Sequence, residues 1–119
     1  MNPKKSSVSQ ATLVPHHAYL ALRLEGFRSV DVSSVPLLYQ IISSLLTEFF
    51  GSIGSAKYPF AIVAHRQNAV ILQVDAATAD SFVGVFSFCS QWNGVPTRIS
   101  CLGIYPTVLS ASHRVSSSL

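Results

Sequence analysis

The chain has 119 residues and a mass of 12.8 kDa, which is one domain's worth of sequence and enough for a two-layer core. Charged residues make up 11% of it, against about 25% in an average globular protein, and hydrophobic residues 49%, so apolar surface is expected to be covered by another chain. A formal charge of +3 favours a polyanionic partner only mildly and does not by itself demonstrate one.

Residues 1 to 16 read as a polar arm without periodicity. The stretch AYLALRLE, residues 18 to 25, alternates Leu20, Leu22 and Leu24 against Tyr19, Ala21, Arg23 and Glu25, the pattern of a half-buried strand. Ser33 or Ser34 then offers an N-cap and Pro36 a first-turn proline for a helix. Its stripe of Leu38, Ile41, Ile42, Leu45 and Phe49 opposes Gln40, Ser43, Ser44 and Thr47, and Gly51 ends it. YPFAIVAH and AVILQV, separated by RQN, read as a hairpin. Asp75 caps a second helix through AATADSFVGVFSFCSQW, with Ala79, Phe82, Val85, Phe86 and Cys89 on one stripe and Asn93 and Gly94 closing it. TRISCLGIY, residues 97 to 105, is the last strand, and residues 108 to 119 are a Ser-rich tail.

The order βαββαβ over residues 17 to 107 predicts an α+β ferredoxin-like (split βαβ) two-layer sandwich: a four-stranded antiparallel sheet with two helices on one face. The other face is then left open, yet both faces of PFAIVA and AVILQV are largely apolar. A protein partner is expected to pack there or on the helices, with Tyr19, Ile62, Ile71 and Phe88 as the candidate interface residues.

A bilayer span needs about 20 mostly apolar residues. Gln40, Ser43, Ser44, Thr47 and Glu48 interrupt one candidate, Asp75 and Asp80 the other, and the polar opening Met1 to Gln10 does not read as a secretory leader. The expectation is a soluble intracellular protein that makes no membrane contact.

The glycines of GSIGS could suggest a phosphate loop, but such loops precede a helix N-terminus, and this one follows a helix without the Gly-Lys-Ser/Thr ending. His16, His17, His65, His113, Cys89 and Cys101 lack the paired short spacings of zinc ligands, so no metal and no cofactor are expected. Glu25, Asp31, Asp75 and Asp80 fall at element ends, where caps and solvated positions account for them, so no catalytic residue is assigned. An RNA-recognition motif shares this strand order but needs aromatics in its central strands, and AVILQV has none. Lys57, Arg66, Arg98 and Arg28 stay as candidate RNA-phosphate contacts at strand ends and loops.

The run LLYQIISSLLTEFFGSIGSAKYPFAIV, with Glu48, Phe49, Phe50, Gly51 and Ala56 at its junction, resembles a known family. The strands at 60 to 64 and 69 to 74, the stretch Phe82 to Trp92 and the strand Arg98 to Ile104 extend the likeness to residues 18 to 110. The family is that of the Pop-five and fourteen-kilodalton protein subunits of nuclear ribonuclease P. The resemblance implies a non-catalytic subunit of a nuclear and nucleolar ribonucleoprotein that removes 5′ leaders from precursor tRNA, with the chemistry done by RNA. It implies a hetero-oligomer with a Pop-five-like sister subunit and a TIM-barrel-like subunit, and indirect contact with the ribonuclease P RNA. The chain lacks the markedly basic helix of a Pop-five member, which favours the fourteen-kilodalton sister. The alternative reading is a ferredoxin-like small-molecule-sensing or regulatory domain that forms a homodimer.

Overall fold

The computed structural model describes residues 16–28 and 32–118, with the side chains of 117 and 118 excepted; the expected arm, apart from His16, and Asp31 lie outside the described residues. Strand β1 (His17–Glu25) leads to helix α1 (Val35–Ser55), the hairpin β2 (Phe60–Arg66) and β3 (Ala69–Asp75), and a 3-10 turn (Ala76–Thr78) running into α2 (Ala79–Ser87). Two short strands, β4 (Gln91–Trp92) and β5 (Val95–Pro96), precede β6 (Arg98–Tyr105) and a third helix, α3 (Val108–Ser118). The main sheet has the order β2-β3-β1-β6, with every pairing antiparallel, so the chain has the ferredoxin-like α+β topology.

Alternation in β1 decides which face each side chain serves. Leu20, Leu22 and Leu24 are buried with Leu38, Ile41, Ile42, Leu45 and Leu46 of α1 and with Phe82, Val85 and Phe86 of α2. Full burial of such a side chain contributes about 1.5–3 kcal/mol, so this cluster is the main source of stability. Aromatic rings tie the layer to the sheet: Tyr39 stacks on Phe60 at 5.2 Å, and Phe60 meets Phe82 edge-on at 6.2 Å.

Edge strand β2 carries an irregularity between Ile62 and Ala64, and the Ile62 N–H donates to the Tyr39 hydroxyl at 2.9 Å. A break in the ladder is thereby satisfied by a side chain of α1.

Three expectations are corrected. The segment expected as a Ser-rich tail is α3, and it lies across the sheet face expected to be open. Ala111 and Val115 are buried there with Ala21, Ala69 and Ile71, flanked by Tyr19, Ala64, Leu102 and Tyr105. Thr107 starts the helix: its hydroxyl accepts from the Ser110 N–H at 3.1 Å and its carbonyl from the Ala111 N–H at 3.2 Å. The fold thus has helices on both sides of the sheet.

The second correction is the end of α2. It stops at Ser87, and Gln91 to Pro96 form a small hairpin whose turn residues Asn93 and Gly94 have φ of 51° and 77°. Two successive positive φ values are what a two-residue hairpin turn demands and what Asn-Gly supplies. The base of this hairpin lies against the exit of β1, where a Cβ on Gly26 would stand 2.4 Å from the Pro96 carbonyl oxygen.

The third is α1, which extends past Gly51 to Ser55 but with Gly51 itself non-helical, at φ 75°. By length and hydropathy α1 could cross a membrane. The Gly51 break, however, ends its continuous helix at Phe50, and its apolar stripe faces the sheet.

Candidate functional site

Large apolar side chains are exposed on both sides of the sheet, Leu109 of α3 at 69% among them, but the aromatic ones belong to the layer of α1 and α2. Phe49 is 48% exposed, Phe88 71% and Ile53 85%. The rings of Phe49 and Phe88 lie 5.3 Å apart, and Phe49 also meets Phe50 at 6.1 Å. Phe49 falls on the buried stripe of the helical wheel, but α2 stops one residue short of Phe88, and the ring that packs on Phe49 from there is itself 71% exposed. Ile53 lies beyond the Gly51 break, where the chain has left the direction of α1. Two adjacent exposed aromatics on a rigid scaffold are the usual material of a protein-binding surface, because they bury large area at little cost in side-chain entropy.

The other candidate interface residues are placed differently. Ile71 is 3% exposed under α3, so it is not at the surface, which corrects its expected role on an open face. Tyr19 is half-buried at the margin of the same cluster, and Ile62 is half-buried on the side of α1 and α2. Only Phe88 of the four belongs to the exposed patch.

Basic residues gather at one end of the sheet. Arg66 closes β2 and pairs with Ala69; Ala69 pairs with Arg23; Glu25 pairs with Arg98. Arg23, Arg66, Arg98 and Glu25 therefore share the end where β1 and β2 finish and β3 and β6 begin. All four occupy the α3 face, since their strand neighbours Leu24 and Ile99 face the opposite core and Ala64 and Ala21 face α3. Arg28 follows β1 at this end. Lys57 does not join them: it lies in the turn that enters β2 from the other end. Arg23, absent from the expected contacts, is the residue the register adds.

Among the described residues no group of three His, Cys, Asp or Glu side chains comes together. His65 Nε2 faces two backbone carbonyls, Val32 at 2.5 Å and Gln67 at 3.1 Å, which fixes it as the N–H donor that pins the start of α1 to the hairpin. Cys89 is buried 3.6 Å from the Thr97 hydroxyl, and burial pushes the Cys101 thiol above its ordinary value. His65 and Cys89 thus have partners within the fold.

No protein-family description matches the sequence, and no curated protein matches it. A solved structure does. The chain is similar in fold to a chain of yeast ribonuclease MRP. The TM-score is 0.66 at 12% identity, and the match covers 89% of this chain and 98% of the other. The likeness therefore spans the whole domain, and identity this low leaves the fold as what the two share.

Proposed function

We propose that the chain is a non-catalytic protein subunit of ribonuclease P, a ribonucleoprotein related to ribonuclease MRP, in which RNA cleaves precursor tRNA and this chain braces the assembly through protein contacts. The observation that carries the reading is the fold likeness to a chain of yeast ribonuclease MRP over 98% of that chain. The sequence resemblance to the ribonuclease P subunit family points the same way. The exposed Phe49–Phe88 pair supports a scaffold role, because it is apolar surface that a permanent partner would cover.

In this reading the protein works in the nucleus and nucleolus as part of a hetero-oligomer. A Pop-five-like sister subunit or a TIM-barrel-like subunit seats on the aromatic patch, and Tyr19 and Ile62 lie outside that contact. Affinity capture of the full-length chain from its own cells tests it. Ribonuclease P RNA and its protein subunits are expected to co-purify, and the paired change Phe49→Ser and Phe88→Ser is expected to reduce recovery of the protein subunits at least tenfold. Capture of neither RNA nor subunits, or a chain that stays a monodisperse monomer in the presence of a Pop-five-like partner, overturns it.

A further inference from the structure

Charge is segregated along the sheet. Of the described cationic residues, Arg23, Arg28, Arg66 and Arg98 lie at the end where β1 and β2 finish. Arg114 belongs to the half of α3 whose Ser112, Val115 and Ser116 lie beside Ala64, Arg66 and Ala69, so it approaches the same end. The described carboxylate there is Glu25, which accepts a hydrogen bond from the Ser100 hydroxyl at 3.2 Å. Asp31, in the connection that follows Arg28, lies outside the described residues. Asp75 and Asp80 are at the opposite end, and Glu48 and Lys57 belong to the end of α1 and the turn that enters β2 from there. Among the described residues the charge is thus polarised along the sheet.

We propose that the end of the sheet carrying Arg23, Arg28, Arg66 and Arg98 binds the phosphate backbone of RNA. The assignment rests on the ribonucleoprotein reading for the choice of RNA as the polyanion; the site itself follows from the register. Arg66 and Arg23 are two strands apart, about 10 Å between backbones. Arg98 stands diagonally across from Arg23, about 7–8 Å away. Exposed Arg66, Arg98 and Arg28 supply the contacts, and half-buried Arg23 lies between the first two. Every cation in the group is an arginine, whose planar fork matches phosphate oxygens two at a time. No exposed aromatic residue stands among them, so the site reads backbone and not bases. The aromatic patch is in the helix layer, on the other side of the sheet, so a protein and an RNA can be held together.

The test is fluorescence anisotropy of the full-length chain with a labelled 15-nucleotide oligouridylate and with a labelled 16-base-pair RNA duplex, over a range of salt. Three phosphate contacts give a log–log salt slope of about −2 on the single strand, at about 0.7 per contact. Arg66→Gln and Arg98→Gln are each expected to weaken binding of every RNA sequence alike and to flatten the slope by about 0.7. Lys57→Gln, at the other end, is expected to change nothing, and circular dichroism melts of these exposed-site variants should overlay. A slope near zero, an equal loss in Lys57→Gln, or arginine-dependent binding of polyglutamate or anionic vesicles in place of RNA overturns the proposal. Co-purification of ribonuclease P without RNA binding by the chain removes this site and leaves the proposed function standing; RNA binding without co-purification does the reverse.

Discussion

Two single residues carry consequences that a measurement can reach. Gly26 has φ of +81° and no room for a side chain, since a Cβ would meet the Pro96 carbonyl oxygen at 2.4 Å. Gly26→Ala is therefore expected to cost more than 1 kcal/mol, roughly the penalty of the backbone conformation alone, with the clash in addition. Urea denaturation read by circular dichroism measures it. Cys101 concerns pH. Burial raises its thiol from the ordinary value of 9.0, so above that pH the unfolded chain loses the proton while the folded chain holds it. Stability from this group is complete below pH 9.0 and is lost as pH rises through the folded-state value. Urea midpoints should fall between pH 8 and 10 in the wild type and fall less in Cys101→Ala.

At the scale of elements, α3 is held by very little. Ala111 and Val115 are its buried anchors, and a helix of 11 residues is marginal without packing. Val115→Asp should strip about 2 kcal/mol of burial and melt α3 while the sheet persists. Amide exchange reads this directly: protection at residues 112 to 116 is expected to vanish, and protection in β3 to survive. Why α3 is hard to read from sequence follows from the same numbers. Its buried positions, Ala111 and Val115, recur at helical spacing, but Leu109 lies off that stripe and five of its eleven residues are serine, which gives the composition of a tail. β1 and α1 are legible because each carries its own period of 2 or 3.6, and the β2–β3 hairpin because two β-rich apolar runs flank a short polar turn. The QWNGVP hairpin is hidden because Trp92 continues the apolar rhythm of α2, although Asn93–Gly94 marks a turn by its chemistry. The surfaces are less legible than the elements. Phe88 can be picked out as an apolar residue of the second helix, but the exposure of Phe49 depends on where a different helix ends. Arg23 in isolation is one polar position of an alternating strand, and only the pairing Arg66–Ala69–Arg23 puts it beside another guanidinium.

For the whole molecule, the decisive fact is that its exposed aromatic pair and its arginine cluster lie on opposite sides of the sheet. Without a partner, the exposed Phe49–Phe88 pair is the surface expected to drive self-association. Light scattering of the purified chain should show mass rising with concentration, and the paired Phe49→Ser and Phe88→Ser variant should return it to a monomer. Its unfolding midpoint should move by only a few degrees, because Phe88 is largely in solvent and Phe49 is half-exposed, and substitutions outside the core typically change stability by about 0.5 kcal/mol each.

The sheet order also fixes when the protein can fold. β1, made first, is a central strand, and its neighbours are β3 and β6: Tyr19 pairs with Gln73 on one side and with Tyr105 on the other. Contacts that span most of the chain pay their loop-closure entropy before they return anything, so folding is slow for the chain's size. Synthesis adds about 5–20 residues per second. During that time a growing chain holds Leu20, Leu22 and Leu24 without the strand that closes the sheet. β6 follows every other strand of the main sheet in the chain, so the sheet closes only after β6 has been made, and a nascent partner or chaperone is best placed to act in that interval.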